Sequence, residues 1–335
     1  MLKRIFRASL IGILMGMSGG ARAQEERPFT VQLDSDFRSR IASSGSSRAT
    51  LYGNQLDLHA KLPNGWKFAF VGAQNNAPTL TGVGGRFNRF VTQNAYIERE
   101  TRAHRLQAGI IRLPFGLYDH RETYISGLID YPLARVDYAL TAVDFGAPGV
   151  RWTGNTTNFQ VDAAAFGGQG AGVWGNLNNV SGGIVRLQAY TNGVVMGLSR
   201  WDGTQSSNLG YAGRQAMHLT GLDMRYTRPH LLLLGEYIFG KEAGEDMRGW
   251  YLDAYYHLPK YEKWTLAARI EELKPASNLP NLRQLTIGAR YTLDKHWILA
   301  ANWRRNQGGG YSPAWTPLTG SGGDFFFQLY RKSSF

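Results

Sequence analysis

Residues 248–272 read RGWYLDAYYHLPKYEKWTLAARIEE, and this stretch decides the fold. Before the turn at Pro259–Lys263, every second side chain is apolar or aromatic: Trp250, Leu252, Ala254, Tyr256 and Leu258. The positions between them hold Tyr251, Asp253, Tyr255 and His257. After the turn the alternation resumes with Trp264, Leu266, Ala268 and Ile270. Because a period of two places successive side chains on opposite faces of a strand, the stretch predicts a β-hairpin with one apolar and one polar face.

The same alternation recurs along the chain in segments of about ten residues, which is the length of a tilted membrane-crossing strand. We predict sixteen strands, at 28–41, 49–62, 66–76, 87–100, 104–113, 143–153, 157–167, 182–191, 194–201, 215–227, 231–241, 248–258, 263–272, 283–293, 296–305 and 323–332. Short connections between them alternate with mostly longer ones. The predicted fold is therefore all-β, a 16-stranded antiparallel transmembrane β-barrel with short periplasmic turns and long extracellular loops.

A soluble β-sandwich also has alternating strands, so the two folds must be separated by other features. Aromatic residues stand at the ends of the apolar faces, as at Trp66, Trp250 and Trp297, where a membrane barrel has its interfacial girdles. The opposite faces carry charges throughout, so no second apolar face is available to form the core of a sandwich. These features favour the barrel.

The N-terminus has the pattern of a cleaved export signal. Lys3, Arg4 and Arg7 precede the apolar stretch 8–17, which runs into Ala21-Arg22-Ala23. That stretch is too short to span a bilayer as a helix, whereas a small-x-small sequence is typical of a cleavage site. We therefore predict a signal peptide at 1–23 and a barrel domain at 24–335, located in the bacterial outer membrane.

Composition excludes several kinds of chemistry. The chain has no cysteine, and its seven histidines lack metal-ligand spacing, so we expect neither a metal site nor a cofactor. The formal charge falls from +12 to +8 when the four basic residues of the signal are removed. For an exported chain this favours anionic solutes or lipopolysaccharide phosphates over nucleic acid as partners.

The last strand ends the chain with an aromatic residue. It begins Phe325-Phe326-Phe327-Gln328-Leu329-Tyr330 and leads to Phe335. A terminal aromatic after an amphipathic strand resembles the signal that the barrel-assembly machinery recognises, although Arg331 and Ser333 stand where that pattern has apolar residues. We therefore assign Phe335 as the assembly signal.

The polar faces supply candidate pore residues. Charged side chains facing lipid near the midplane cost about 2–4 kcal/mol, so these charges are expected to face inward whatever the solute is. The arginines selected as pore wall are Arg151, Arg186, Arg225, Arg269, Arg290 and Arg304. Keeping the interior wet and pairing with nearby acids is the simplest role for each of them.

The longest predicted connection, 114–142, contains a local family resemblance. From Arg112 the chain reads RLPFGLYDHRETY, and residues 143–152 read VDFGAPGVRW. Together with Gly109 these segments resemble the phosphate-selective porin O and P family and, more broadly, the general 16-stranded porins. The resemblance implies a water-filled barrel, often a homotrimer, whose third loop folds inward as a constriction. Phosphate-specific members have a lysine cluster in the pore, which this loop lacks, so phosphate selectivity does not carry over.

The candidate constriction residues follow from that loop. They are Arg112, Asp119, Arg121, Glu122, Asp130 and Arg135. Within 114–142 the acids outnumber the bases, whereas the wall is slightly basic, so only weak selectivity is expected. We predict a slight anion preference, because the arginines reach far into the lumen and bind oxyanions well.

Three functions remain open at this point. The first is a non-enzymatic porin for passive diffusion of small hydrophilic solutes and ions, because sixteen strands leave an aqueous channel. The second is a selective channel for a phosphate-like anion or for a sugar, with Tyr190, Tyr251 and Tyr255 as a candidate sugar track. The third is an outer-membrane enzyme, which would need a pair such as His120 and Asp119 at the rim.

Overall fold

Strands account for most of the residues that the structure describes. The computed structural model describes residues 29–42, 47–75, 90–117, 127–129, 132–136, 146–171, 177–206, 215–274, 281–307 and 323–334. The strands within them are β1 (Phe29–Ala42), β2 (Ser47–Lys61), β3 (Trp66–Asn75), β4 (Phe90–Glu100), β5 (His104–Arg112), β6 (Gly146–Asn155), β7 (Phe159–Ala171), β8 (Leu177–Thr191), β9 (Val194–Ser206), β10 (Gln215–Arg228), β11 (Leu231–Glu242), β12 (Glu245–His257), β13 (Trp264–Lys274), β14 (Leu282–Thr292), β15 (Trp297–Gln307) and β16 (Gly323–Ser334).

These sixteen strands form one closed antiparallel barrel, as the sequence predicts. Each strand pairs with its neighbours in the chain, and β1 closes the ring by pairing with β16 from Gln32↔Ser334 to Ala42↔Asp324. A closed sheet has no edge, so the ladder hydrogen bonds can be completed without water. That property allows a sheet to lie in lipid.

Helical structure is minor in the described stretches. A 3-10 turn covers Pro63–Gly65, and a single helical turn, α1 (Leu133–Val136), lies in the connection between β5 and β6. None of the helices there has the length and apolar character that a membrane crossing requires.

The two faces of the barrel have opposite chemistry. On β13 the outward-facing Leu266 and Ile270 are 45% and 49% exposed, whereas the inward-facing Thr265, Arg269 and Glu271 are buried. The same inversion holds around the ring, with exposed Leu187, Leu222 and Ile287 on the outside, for example. The predicted face assignment is therefore correct for these strands. An apolar outside and a polar inside suit a protein whose outer solvent is lipid.

The two ends of the barrel differ, and we call them the turn end and the loop end. The turn end has short connections throughout, at 62–65, 101–103, 156–158, 192–193, 229–230, 258–263 and 293–296. In the last of these, Asp294 accepts hydrogen bonds from the backbone N–H groups of His296 and Trp297, at 2.7 and 2.9 Å. Because both bonds stabilise the ionised carboxylate over the protonated acid, they hold the pKa of Asp294 below its usual value.

The clearest differences from the predicted strand boundaries lie at the loop end. β8 and β9 extend farther than predicted, because Gly182 lies directly against the neighbouring backbone, where an added Cβ would be 2.4 Å from the carbonyl oxygen of Asp202. Glycine interrupts the alternation in sequence but permits close pairing here. The connection between β11 and β12 is also shorter than predicted, since Ala243 and Gly244 form a two-residue turn with positive φ at both positions.

Candidate functional site

The connection between β5 and β6, called the third connection below, enters the barrel interior. Immediately after β5, residues Leu113 and Phe115 are almost fully buried. The backbone N–H of Gly116 donates to Ser199 Oγ on β9 at 3.1 Å, and the ring of Phe115 lies 6.4 Å from that of Trp201. Ser199 and Trp201 are inward-facing and fully buried. The start of the third connection is therefore fixed to the inner face of β9.

Its middle part is held by one asparagine on β15. The backbone N–H of Ile129 donates to Asn302 Oδ1 at 2.7 Å, and Asn302 Nδ2 donates to the carbonyl of Gly127 at 2.8 Å. An added Cβ at Gly288, on β14, would lie 2.2 Å from Asn302 Nδ2. Gly288 therefore leaves the space that this side chain needs to reach the connection.

The helical turn α1 packs on β12 and β13. The backbone N–H of Leu133 donates to Glu271 Oε2, and both Leu133 and Ala134 are buried. An added Cβ at Gly249, on β12, would lie only 2.8 Å from the Cβ of Ala134. The inner wall is thus shaped so that α1 can approach the backbone of β12.

Apolar contacts join these anchor points. On the inside of β7–β14, toward the loop end, the wall carries Phe166, Val180, Ile184, Trp201, Met217, Leu219, Ile238, Met247, Leu273 and Leu282. They form one buried cluster with Leu113, Phe115, Leu133 and Ala134 of the third connection. Deeper in the barrel, Leu128 packs against Leu234 and Tyr255. We call this inward surface of β7–β15, which includes Asn302 on β15, the docking wall. Burying a large apolar side chain contributes roughly 1.5–3 kcal/mol, so several such contacts hold the connection firmly.

Four of the six predicted wall arginines are ion-paired. The pairs are Arg151–Asp162, Arg186–Asp223, Arg269–Asp253 and Arg304–Asp324, with N–O separations of 2.7, 2.8, 2.6 and 3.4 Å. Arg269 binds both carboxylate oxygens of Asp253. Each pair adds little net charge to the interior, and breaking it would leave one charge uncompensated. The sequence identified the correct face for these arginines but not their partners.

The pair between Arg186 and Asp223 depends on a missing side chain. Arg186 lies on β8 and Asp223 on β10, so the contact passes over β9. The residue between them is Gly197, where an added Cβ would lie 2.3 Å from a carboxylate oxygen of Asp223. Glycine at this position therefore permits an ion pair between strands that are not neighbours.

The other two wall arginines lie in different surroundings. Arg225 is exposed on the inner face of β10, near the turn end. Arg290 is partly buried beneath the third connection, where an added Cβ at Gly127 would lie 3.1 Å from its Cβ. The third connection therefore covers part of the predicted basic surface.

Most of the predicted constriction residues lie outside the described stretches. This holds for Asp119, Arg121, Glu122 and Asp130, and also for His120, the signal segment 1–23 and Phe335. Arg112 ends β5 and is partly buried. Arg135 lies in α1, where the structure describes the backbone but not its side chain. Their roles remain predictions.

The predicted sugar track is mostly covered. Tyr251 and Tyr255 face inward but are only 2% exposed, and their hydroxyls donate to Glu236 and Asp253, both at 3.0 Å. Tyr190 is partly exposed and donates to Gln160. Two of the three rings therefore cannot stack on a sugar in this conformation. Within the described residues no cluster of histidines and acids could hold a metal ion.

Comparison with solved structures agrees with this architecture. OmpF of Salmonella typhi, in a complex with daunomycin, superposes with a TM-score of 0.67 over 91% of this chain and 97% of its own, at 10% identity. The fold is that of an outer-membrane barrel. A loop-deletion mutant of OmpT, an outer membrane protein of Vibrio cholerae, gives 0.63 over 91% and 98%, also at 10% identity. OprB of Pseudomonas putida gives 0.59 over 92% and 94%, again at 10%. No protein-family model and no curated protein sequence matches the chain.

Proposed function

We propose that this chain is a porin of the bacterial outer membrane through which small hydrophilic solutes and ions diffuse passively. The observation that carries the proposal is the closed 16-stranded barrel, whose outside is apolar and whose inside is polar except at the docking wall. Barrels of this size leave an aqueous channel, whereas eight strands would be filled by side chains. The turn end would face the periplasm and the loop end the exterior.

The third connection is the proposed constriction. The proposal is supported by its described parts, 113–117, 127–129 and 132–136, which are anchored to the inner face at Ser199, Asn302 and Glu271. Charges in such a narrow passage act on ions more strongly than charges on an exposed loop. The constriction would be lined by Arg112, Asp119, Arg121, Glu122, Asp130 and Arg135, as the sequence predicts.

Selectivity would be weak. The ion pairs of Arg151, Arg186, Arg269 and Arg304 neutralise four of the predicted wall arginines, so these residues do not favour a phosphate-specific channel. The proposed slight preference for anions rests on Arg112, at the end of β5, and on Arg121 and Arg135 of the third connection. The enzyme alternative depends on His120 and Asp119, which lie outside the described residues, and we do not propose it.

Assembly and partners belong to the same proposal. Export would remove 1–23, the barrel-assembly machinery would read Phe335, and outer-membrane lipid would surround the apolar faces. A homotrimer is proposed from the resemblance to porins; a trimer form has been solved for Vibrio cholerae OmpT, which has 11% identity to this chain.

Planar-bilayer recording tests the function. Purified barrel should add stepwise, ohmic conductance increments, and the reversal potential in a salt gradient should stay close to zero. A folded, membrane-inserted barrel that produces no increments would refute the proposed function. A large reversal potential would instead refute the weak selectivity.

A further inference from the structure

The outer face of β12–β15 carries basic side chains directly above apolar ones at the loop end. The cations are Arg248, Lys274, Arg283 and Arg305, and the acid among them is Glu272. Strand register makes them neighbours: Arg248 pairs with Lys274, Glu272 with Arg283, and Leu285 with Arg305. We call this set the outer basic patch. It lies on the outward face, away from the pore interior.

A shallow depression of about 380 Å³ runs through this patch. Its apolar surface comes from Trp250, Ile270 and Leu285, and the outward-facing polar groups beside them are Glu272, Arg283, Arg305 and Gln307. Ile270 and Leu285 are 49% and 38% exposed. An apolar surface next to guanidinium groups at one end is complementary to an amphiphile with an anionic head group.

The charges of the patch are not balanced within it. Arg283 Nε lies 3.1 Å from Glu272 Oε2, and this guanidinium remains 63% exposed. For Arg248, Lys274 and Arg305 the described residues provide no ion pair or hydrogen bond. Asp246 also lies on the outer face of β12, but it is paired with Lys241 of β11 at 3.8 Å. Against Glu272 the four cations of the patch leave an excess that favours an anionic ligand.

The turn end offers a contrast on the same outer face. There Arg331 lies over the ring of Trp297 at 5.3 Å, and Arg228 lies over Tyr226 at 5.2 Å, with its Nε donating to the Tyr226 hydroxyl. Arg331 and Arg228 therefore already form cation–π contacts with aromatic rings at the proposed membrane–water interface. Arg305 has no such ring contact among the described residues, so its guanidinium is available to a ligand.

We propose that the outer basic patch binds a phosphate-bearing lipid of the leaflet at the loop end, with its phosphate on Arg283 and Arg305 and an acyl chain along Ile270 and Leu285. Guanidinium groups bind phosphate in a bidentate manner, and basic residues beside a membrane attract anionic head groups. A second copy of the chain is the alternative occupant, and it would need an acidic surface to match the basic excess of the patch. The site rests on the membrane placement proposed above.

The test uses the full barrel, purified in detergent and stripped of lipid. Lipopolysaccharide is added to the wild type, to the Arg283→Gln/Arg305→Gln double variant, and to Arg331→Gln as the matched control at the turn end. Bound fatty acid per barrel is measured after separation from free lipid. We expect the double variant to bind about 30-fold more weakly and the control to bind like the wild type. Heat-modifiable migration in gels shows that each variant is folded.

Two further arms identify the ligand. Dephosphorylated lipopolysaccharide should bind the wild type as weakly as intact lipid binds the double variant, and millimolar inorganic phosphate should compete only weakly because it lacks the acyl chain. Equal lipid binding by the wild type and the double variant, or equal binding of phosphorylated and dephosphorylated lipid, overturns the proposal. So does a change of oligomeric state in the double variant with lipid binding unaltered. Conductance of the same samples tests the pore separately.

Discussion

Gly249→Val should loosen the third connection without unfolding the barrel. An added Cβ at this position would lie 2.8 Å from the Cβ of Ala134 and 3.0 Å from Leu273 Cδ1, and valine adds two methyl groups beyond it. Overpacking of this kind costs typically 1–3 kcal/mol. Because β12 is held by full ladders to β11 and β13, α1 is the element that should move. Each 1.4 kcal/mol lost from docking raises the undocked population about tenfold.

The assay combines single-channel recording with limited proteolysis. In the variant, conductance should become noisier and larger on average, and trypsin should cut faster after Arg121 or Arg135. Gly235→Val on β11 is the matched control, since an added Cβ there meets Leu252 Cδ1 at an ordinary 3.5 Å on the outer face. Heat-modifiable migration should be retained by both variants. If Gly249→Val cannot be distinguished from the control in noise, conductance and cleavage, α1 does not dock as described.

Three other predictions concern the faces, the constriction and the export signal. Leu187→Arg places a charge against lipid and should reduce the free energy of unfolding by roughly 2–4 kcal/mol if it lies near the midplane. Gln188→Arg faces inward between Gln160 and Gly197, so its effect should be far smaller. An equal loss of folded, heat-modifiable barrel in both variants would refute the face assignment. Deleting 119–137 should raise the single-channel conductance, and an unchanged conductance would place the loop outside the passage. Arg121→Glu should shift the reversal potential toward cation selectivity. Mass spectrometry of membrane-extracted protein should find an N-terminus at Gln24, and a mature chain that begins at Met1 would contradict signal cleavage.

The strands could be predicted because their signal is local. Leu266 and Arg269 differ in sequence position by an odd number, so they lie on opposite faces wherever the strand is placed. The same rule correctly put Arg151, Arg186, Arg269 and Arg304 inside. The alternation does not predict which acids these arginines pair with, because the Arg186–Asp223 contact depends on the absence of a side chain at Gly197.

The sequence of β9 contains an indication of the docking wall that the strand prediction did not use. On β9 the outward residues change from Met196 and Leu198 to Arg200 and Asp202, while the buried inward residue between these two charges is Trp201. The polarity of the two faces therefore reverses toward the loop end. In a barrel whose inside were filled only by water, an inward tryptophan at that position would be unfavourable. Such a reversal predicts that another part of the chain covers the inner face.

The sequence by itself determined which side chains face lipid and which face inward, since that follows from a period of two and from the cost of charges in lipid. Only the tertiary structure decided which inward side chains meet the third connection. Asn302 binds Ile129 across 173 positions, and Gly116 binds Ser199 across 83. No local pattern encodes such contacts, because they exist only after closure has brought β9 and β15 around the same interior. What covers the docking wall is therefore a property of the closed barrel.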